Sequence, residues 1–149
     1  MKQRILRSLV IAGAVVLLDQ ATKYLARTSL HAGETISVLP WLELVNVRNQ
    51  GAAFGMFSSF GNGFFITLSA AALVFMAWII ITGKDDYRIF ALLAGGAGGN
   101  LIDRVALGHV VDFISLGAGG YHWPAFNVAD SALSIGMVLM AANILRGRH

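Results

Sequence analysis

The chain has 149 residues, 56% hydrophobic and 13% charged, with a mean hydropathy of +0.68. A soluble domain is usually about a quarter charged, so this chain has too little polar surface to cover itself in water and reads as an integral membrane protein of one domain, residues 1–149. The net charge of +3 comes with no run of basic and aromatic residues that would suggest nucleic acid, and the absence of cysteine excludes disulfides, thiolate nucleophiles and Cys-ligated metals.

A membrane helix needs about 20 mostly apolar residues. Four stretches qualify, at approximately residues 4–27, 61–82, 88–104 and 127–145. The first opens with Lys2, Arg4 and Arg7 ahead of Leu9 to Leu18, which is the layout of a signal peptide. Asp19-Gln20-Ala21-Thr22-Lys23 lacks a small-x-small cleavage site, so the segment is expected to be the first membrane helix. Asp19 and Lys23 are four apart, with the acid N-terminal to the base, the favourable order for a helical ion pair. Such a pair lowers the cost of charge near a membrane, and it is equally compatible with a place beside a substrate.

The segment that follows is rich in β-branched and aromatic residues from Glu34 to Arg48, with Pro40 as a break. Leu42-Glu43-Leu44 and Val45-Asn46-Val47-Arg48 each alternate, with a phase slip between them, which predicts short strands with a bulge. Asn49-Gln50-Gly51-Ala52-Ala53-Phe54-Gly55 reads as a turn or a close backbone approach. The second helix runs without charge from Phe64 to Ile81, and Lys84-Asp85-Asp86 reads as a solvated connection. Helix three carries Gly95 and Gly99 in small-xxx-small register, which lets a neighbouring helix come close. Asn100, Asp103 and Arg104 follow. Asp103 and Arg104 could simply end the helix, but Asn100 lies too deep for that account.

Val110 to Leu116 reads as another strand, Gly117 to Gly120 as a turn and Tyr121-His122-Trp123-Pro124 as a return at the membrane surface. Trp41, Tyr121 and Trp123 suit an interfacial aromatic belt. Two strand-bearing segments on the same side predict a small sheet resting on the helices. The basic residues predict both termini in the cytoplasm, with Lys2, Arg4, Arg7, Lys84, Arg88, Arg146 and Arg148 inside. His31, His109, His122 and His149 have no metal-ligand spacing and read as loop or interface residues.

Two aspartates need a reason, because carboxylates are costly at a membrane. Asp112 interrupts the run Val110 to Ile114, where Asp is disfavoured. Asp130 has a plainer account: Asn127 as an N-cap, with Asp130 three residues on as its capping-box acid. No Ser-His-Asp, Ser-Lys or HExxH arrangement stands out. If Asp112 and Asp130 meet, they cannot both ionise cheaply. One then keeps a proton and serves as acid while the other activates water, the chemistry of an aspartic protease. The rival class is a small transporter or proton channel that uses intramembrane Asp, Lys and Arg as an ion path. Charges in such a path should reach the helix midplane, whereas here they gather at helix ends beside strand-like segments.

The motifs resemble those of the lipoprotein signal peptidases, or signal peptidase II, of bacterial membranes. The match runs through Asp19 to Lys23, Asn49 to Phe54, Gly95 to Arg104, Val110 to Phe113 and Trp123 to Asp130, in the family's order. The resemblance implies a mainly α integral membrane fold, with four transmembrane helices and a small periplasmic-side β-cradle. It implies an aspartic endopeptidase of the bacterial inner membrane, with its active site near the outer face and Asp112 and Asp130 as the catalytic pair. Asp19, Lys23, Asn49, Gly51, Asn100, Arg104 and Asn127 would bind substrate or support the site. The implied partners are membrane lipid and prolipoproteins carrying diacylglycerol on a lipobox cysteine, cut just before that cysteine. No cofactor or metal is implied. Oligomeric state stays open, a monomer being compatible with everything above.

Overall fold

A computed structural model describes residues 1–31, 33–51, 58–118 and 121–147. Among these residues are four α-helices: α1 (Lys2–Ser29), α2 (Gly61–Thr82), α3 (Tyr87–Leu107) and α4 (Val128–Leu145). Three of them, α1, α2 and α4, are long and apolar enough to cross a membrane. Large apolar side chains stay exposed along all three, among them Leu17, Val74 and Val138, as expected of faces meant for lipid rather than water. The helix α3 is different. It packs against each of the other helices and buries Ile89, Phe90, Ala91, Leu93 and most of its glycines. Its polar residues and its central place have one cause, since a helix sheltered by three others can carry Asn100, Asp103 and Arg104 away from lipid.

The glycines allow that packing. A Cβ on Gly95 would lie 2.7 Å from Val15 Cβ in α1, and one on Gly99 would lie 2.6 Å from an Asp19 carboxylate oxygen. Gly96 faces the other way, where a Cβ would lie 2.6 Å from the Ala129 carbonyl oxygen in α4. That neighbour is backbone and cannot yield cheaply. Gly96→Ala is therefore expected to cost about 1–3 kcal/mol, the usual penalty of overpacking. Gly98→Ala, whose Cβ would come no closer than 3.5 Å to Val16, should be tolerated. Thermal unfolding of the two variants in one detergent checks this, and equal melting points would contradict it.

Four strands complete the fold: β1 (Thr35–Leu39), β2 (Leu42–Asn49), β3 (Val110–Ala118) and β4 (Tyr121–His122). They run antiparallel in the order β1-β2-β3-β4. The predicted slip in the second strand is present as a register shift between Leu44 and Val47. The expected pairing of the two strand-bearing segments is the β2–β3 ladder. Asn46 ties this sheet to the bundle by donating to the Leu30 carbonyl at 2.9 Å, just past the end of α1. Trp41, Tyr121 and Trp123 are exposed at this end. The 84–86 connection does more than the sequence suggested, because Asp86 caps α3 by accepting from the Arg88 N–H at 2.9 Å. The turn readings over residues 52–55 and 119–120 lie outside the described residues.

Candidate active site

The polar residues of the bundle meet under the sheet, in two connected groups. In the first, Asp19 and Lys23 form the ion pair their spacing predicts, at 2.8 Å. Lys23 also reaches Asp103 at 3.1 Å and donates to Asn100 Oδ1 at 2.9 Å. Lys23 and Asp19 are almost wholly buried, at 1% and 0% exposure. Each acid has a second duty. Asp19 Oδ1 accepts from the Ala129 N–H at 2.8 Å, at the start of α4. Asp103 Oδ2 accepts from the Val111 N–H at 3.0 Å, at the start of β3. The cluster thus joins α1 and α3 to the first residues of the two elements that bear Asp112 and Asp130.

In the second group Asn127 is the hinge. An isolated bridge between Ile114 and Phe126, made by backbone bonds in both directions at 2.9 Å, lays the residues before α4 against β3. Asp112 and Asn127 therefore come together. The Asn127 amide donates to Asp112 Oδ1 at 2.7 Å, and its backbone N–H donates to Asp130 Oδ2 at 3.2 Å. Its Oδ1 accepts from the Asp130 N–H at 2.8 Å. The capping box expected from spacing is present, and the same residue bridges the two acids, so cap and site coincide. Asn49 Nδ2 holds Asp112 Oδ2 at 2.9 Å. Asn100 Nδ2 holds Asp130 Oδ1 at 2.8 Å. Among the described residues each of the four carboxylate oxygens accepts one amide bond, which leaves it a lone pair for a proton or a water.

Burial, and then the charge of Asp130, push Asp112 up to about 7; the Asn49 and Asn127 amides and Lys23 oppose the rise only in part. Near neutral pH this carboxyl is poised between its acid and base forms.

Arg104 completes the site. Its Nη2 donates to the Gly51 carbonyl at 2.7 Å, and its guanidinium lies over the Phe65 ring, 4.2 Å from the ring centre. Its Nη1 is buried and has no partner among the described residues. Gly51 is fixed in turn by donating its N–H to Asn49 Oδ1 at 2.9 Å. Asn49, Gly51, Asn100, Arg104 and Asp130 line the head of a groove of about 710 Å³. The groove continues between α2 and α4, past Phe65, Leu68, Leu133 and Met137. No group of three or more His, Cys, Asp or Glu able to hold a metal occurs among the described residues.

All nine residues singled out from the sequence thus belong to one connected network. Gln20 was missed. Its amide bonds Asp103 Oδ1 at 3.0 Å, the Gly99 carbonyl at 3.1 Å and Asp19 at 3.3 Å. The signal was a second polar side chain, an amide directly after Asp19, in an apolar helix. Asp103 was undervalued too, because nothing local distinguishes it from a helix-ending acid.

Buried carboxylates in amide cradles thus stand at the head of an apolar groove. Comparison with known proteins makes the family specific. Residues 11–146 match the family model of Signal peptidase (SPase) II, and the chain belongs to that family. The lipoprotein signal peptidase of Thermodesulfovibrio yellowstonii is 46% identical over 132 residues, 89% of this chain and 90% of that protein. The lipoprotein signal peptidase of Syntrophotalea carbinolica is also 46% identical, over 89% of this chain and 88% of its own length. A bacterial membrane enzyme solved by the in meso method at 2.3 Å resolution superposes with a TM-score of 0.85 and 39% identity, covering 94% of this chain and 88% of that one.

Proposed function

We propose that this protein is an aspartic endopeptidase that removes the signal peptide from diacylglyceryl-modified prolipoproteins, cutting just before the lipidated cysteine. The observation that carries the mechanism is Asn127, one residue that bonds both Asp112 and Asp130. In this reading the ionised member of the pair takes a proton from water, and the water oxygen attacks the scissile carbonyl carbon. The protonated member donates its proton to the carbonyl oxygen. The tetrahedral intermediate then collapses. Its C–N bond breaks, the cysteine nitrogen leaves with the proton held by the first aspartate, and one hydroxyl of the intermediate returns its proton to the second aspartate, so that the signal peptide leaves with a new carboxyl group and the pair is restored. Arg104, which lines the head of the groove, would bond a backbone carbonyl of the substrate. Asn49, Asn100 and Asn127 hold the acids in place.

The groove opens between helices, so the acyl chains would stay in lipid while the peptide reaches the pair. Each buried CH₂ contributes about 0.8 kcal/mol to that anchoring. One precursor peptide, offered with and without diacylglycerol on its cysteine in the same detergent, tests the reading. The lipidated form is expected to be cut just before the cysteine with a far higher kcat/KM. Equal values for the two forms would leave only a generic membrane protease.

The proposed topology has four membrane spans, α3 being the third, with both termini cytoplasmic and the sheet outside. In a chain without native cysteine, Ser37→Cys and Tyr121→Cys should label from the outer side only, and Lys84→Cys from the cytoplasmic side only. The opposite pattern at any of the three would overturn the arrangement.

A further inference from the structure

Serine and threonine within apolar helices usually quiet their hydroxyls by bonding the carbonyl one turn back. Six residues here do so: Ser8, Thr22, Thr28, Thr67, Thr82 and Ser131 bond Arg4, Leu18, Tyr24, Gly63, Trp78 and Asn127 at 2.8 to 3.0 Å. Ser69 in α2 and Ser134 in α4 make no such bond among the described residues. Both line the groove, one on each wall. Ser134 stands one turn inward of Asp130, and Ser69 one turn inward of Phe65, the ring beneath the Arg104 guanidinium. Both therefore lie about 6 Å deeper than the polar head of the site. Ser69 is half-buried and Ser134 exposed, and Leu68, Ala72, Leu133 and Met137 line the same groove, so that in a bilayer an unbonded hydroxyl there is a cost.

We propose that Ser69 and Ser134 form a polar clamp in the apolar groove that hydrogen-bonds the ester carbonyls of the substrate's diacylglyceryl group. This rests on the proposed function and refines it, making the glycerol esters, and not the acyl chains alone, a feature that the enzyme reads. The chemistry matches the depth. From the scissile carbonyl through the cysteine sulfur to the ester carbonyls runs about eight bonds, ~10 Å at full stretch. That reach spans one helical turn with slack. At that level an acyl-anchored substrate offers ester oxygens as acceptors and otherwise hydrocarbon, and a serine hydroxyl is a donor free to rotate towards them.

The test uses one lipobox peptide in three forms: unmodified at cysteine, carrying a di-O-acyl thioglyceryl group, and carrying a di-O-alkyl ether of equal chain length. With the full-length protein, the ester form is expected to exceed the ether form about tenfold in kcat/KM, as two neutral hydrogen bonds would give. In Ser69→Ala/Ser134→Ala that ratio should fall towards one. A ratio near one in the parent protein would overturn the clamp and needs no variant. A ratio that survives intact in the double variant would overturn it as well. The two readings fail separately. Indifference to the whole lipid sinks the proposed function, whereas a lipid preference without an ester preference sinks the clamp alone.

Discussion

Asp112→Asn and Asp130→Asn are each expected to lower turnover of a lipidated precursor to background. Both keep the shape of the side chain and remove the ionisable proton. The consequence for folding is mixed at each site. Asp112 accepts amide bonds on both oxygens, so an Asn there must turn one N–H towards another donor, at about 1–3 kcal/mol. Against this, the variant loses a carboxylate that is costly to ionise in the fold. The folded-state value near 7 lies above the ordinary one. The parent's contribution from Asp112 is thus fully present below about pH 4 and is lost as pH rises through 7. Asp112→Asn should lack that decline, and its stability relative to the parent should improve between pH 5 and pH 8. Loss of activity with a retained melting transition isolates the chemistry. Substantial turnover by either purified variant would sink the aspartic mechanism.

The same carboxyl sets the expected pH profile. The proposed mechanism needs one proton on the pair. Above the value near 7 Asp112 gives up the proton that it would donate. The kcat/KM of the parent is therefore expected to fall on an alkaline limb beginning near neutrality. A flat profile from pH 6 to pH 9 would mean that Asp112 titrates outside the catalytic cycle.

Much of this site was legible in the sequence because charge is conspicuous in an apolar chain. Asp19 and Lys23 announce each other by helical spacing, and the phase slip in Leu42–Arg48 gave away the bulge. Asp112 was conspicuous for sitting in a strand of valines. The distant relations were harder to read. Nothing near Asp103 says that it holds the start of β3, because the bond to Val111 depends on how the chain turns after Gly108. Asp86 read as a solvated charge because a cap is visible only once the helix start is known. The double duty of Asn127 was half legible: spacing gave the cap, but the bond to Asp112 depends on the Ile114–Phe126 bridge. The serines of the groove carried no signal at all, since an unused hydroxyl differs from a back-bonded one only in the direction it faces.

The other large effect is expected at Lys23, which is joined to Asp130 through Asn100. Lys23→Met keeps the length of the side chain and removes its charge. Asp19 and Asp103 are then left buried, at 0% and 3% exposure, without the cation that lies 2.8 and 3.1 Å from them. Removing one partner of a buried ionic cluster costs about 3–5 kcal/mol, a fall in melting point on the order of 10 °C for a chain of this size. Activity should fall further than stability explains. Asp19 holds the N–H of Ala129, next to Asp130, and Asp103 holds that of Val111, next to Asp112, so a disturbed cluster misplaces both acids, and a shift of about 1 Å can cost roughly a hundredfold in rate. The triple variant Asp19→Asn/Lys23→Met/Asp103→Asn separates charge from architecture. It removes the uncompensated carboxylates and keeps oxygens that can still accept from Ala129 and Val111, so it should melt well above Lys23→Met. A single Lys23→Met variant that melted within about 2 °C of the parent, less than about 1 kcal/mol at this size, would show that the two acids had found protons or water instead, and the cluster would lose its place as the frame that sets the catalytic pair.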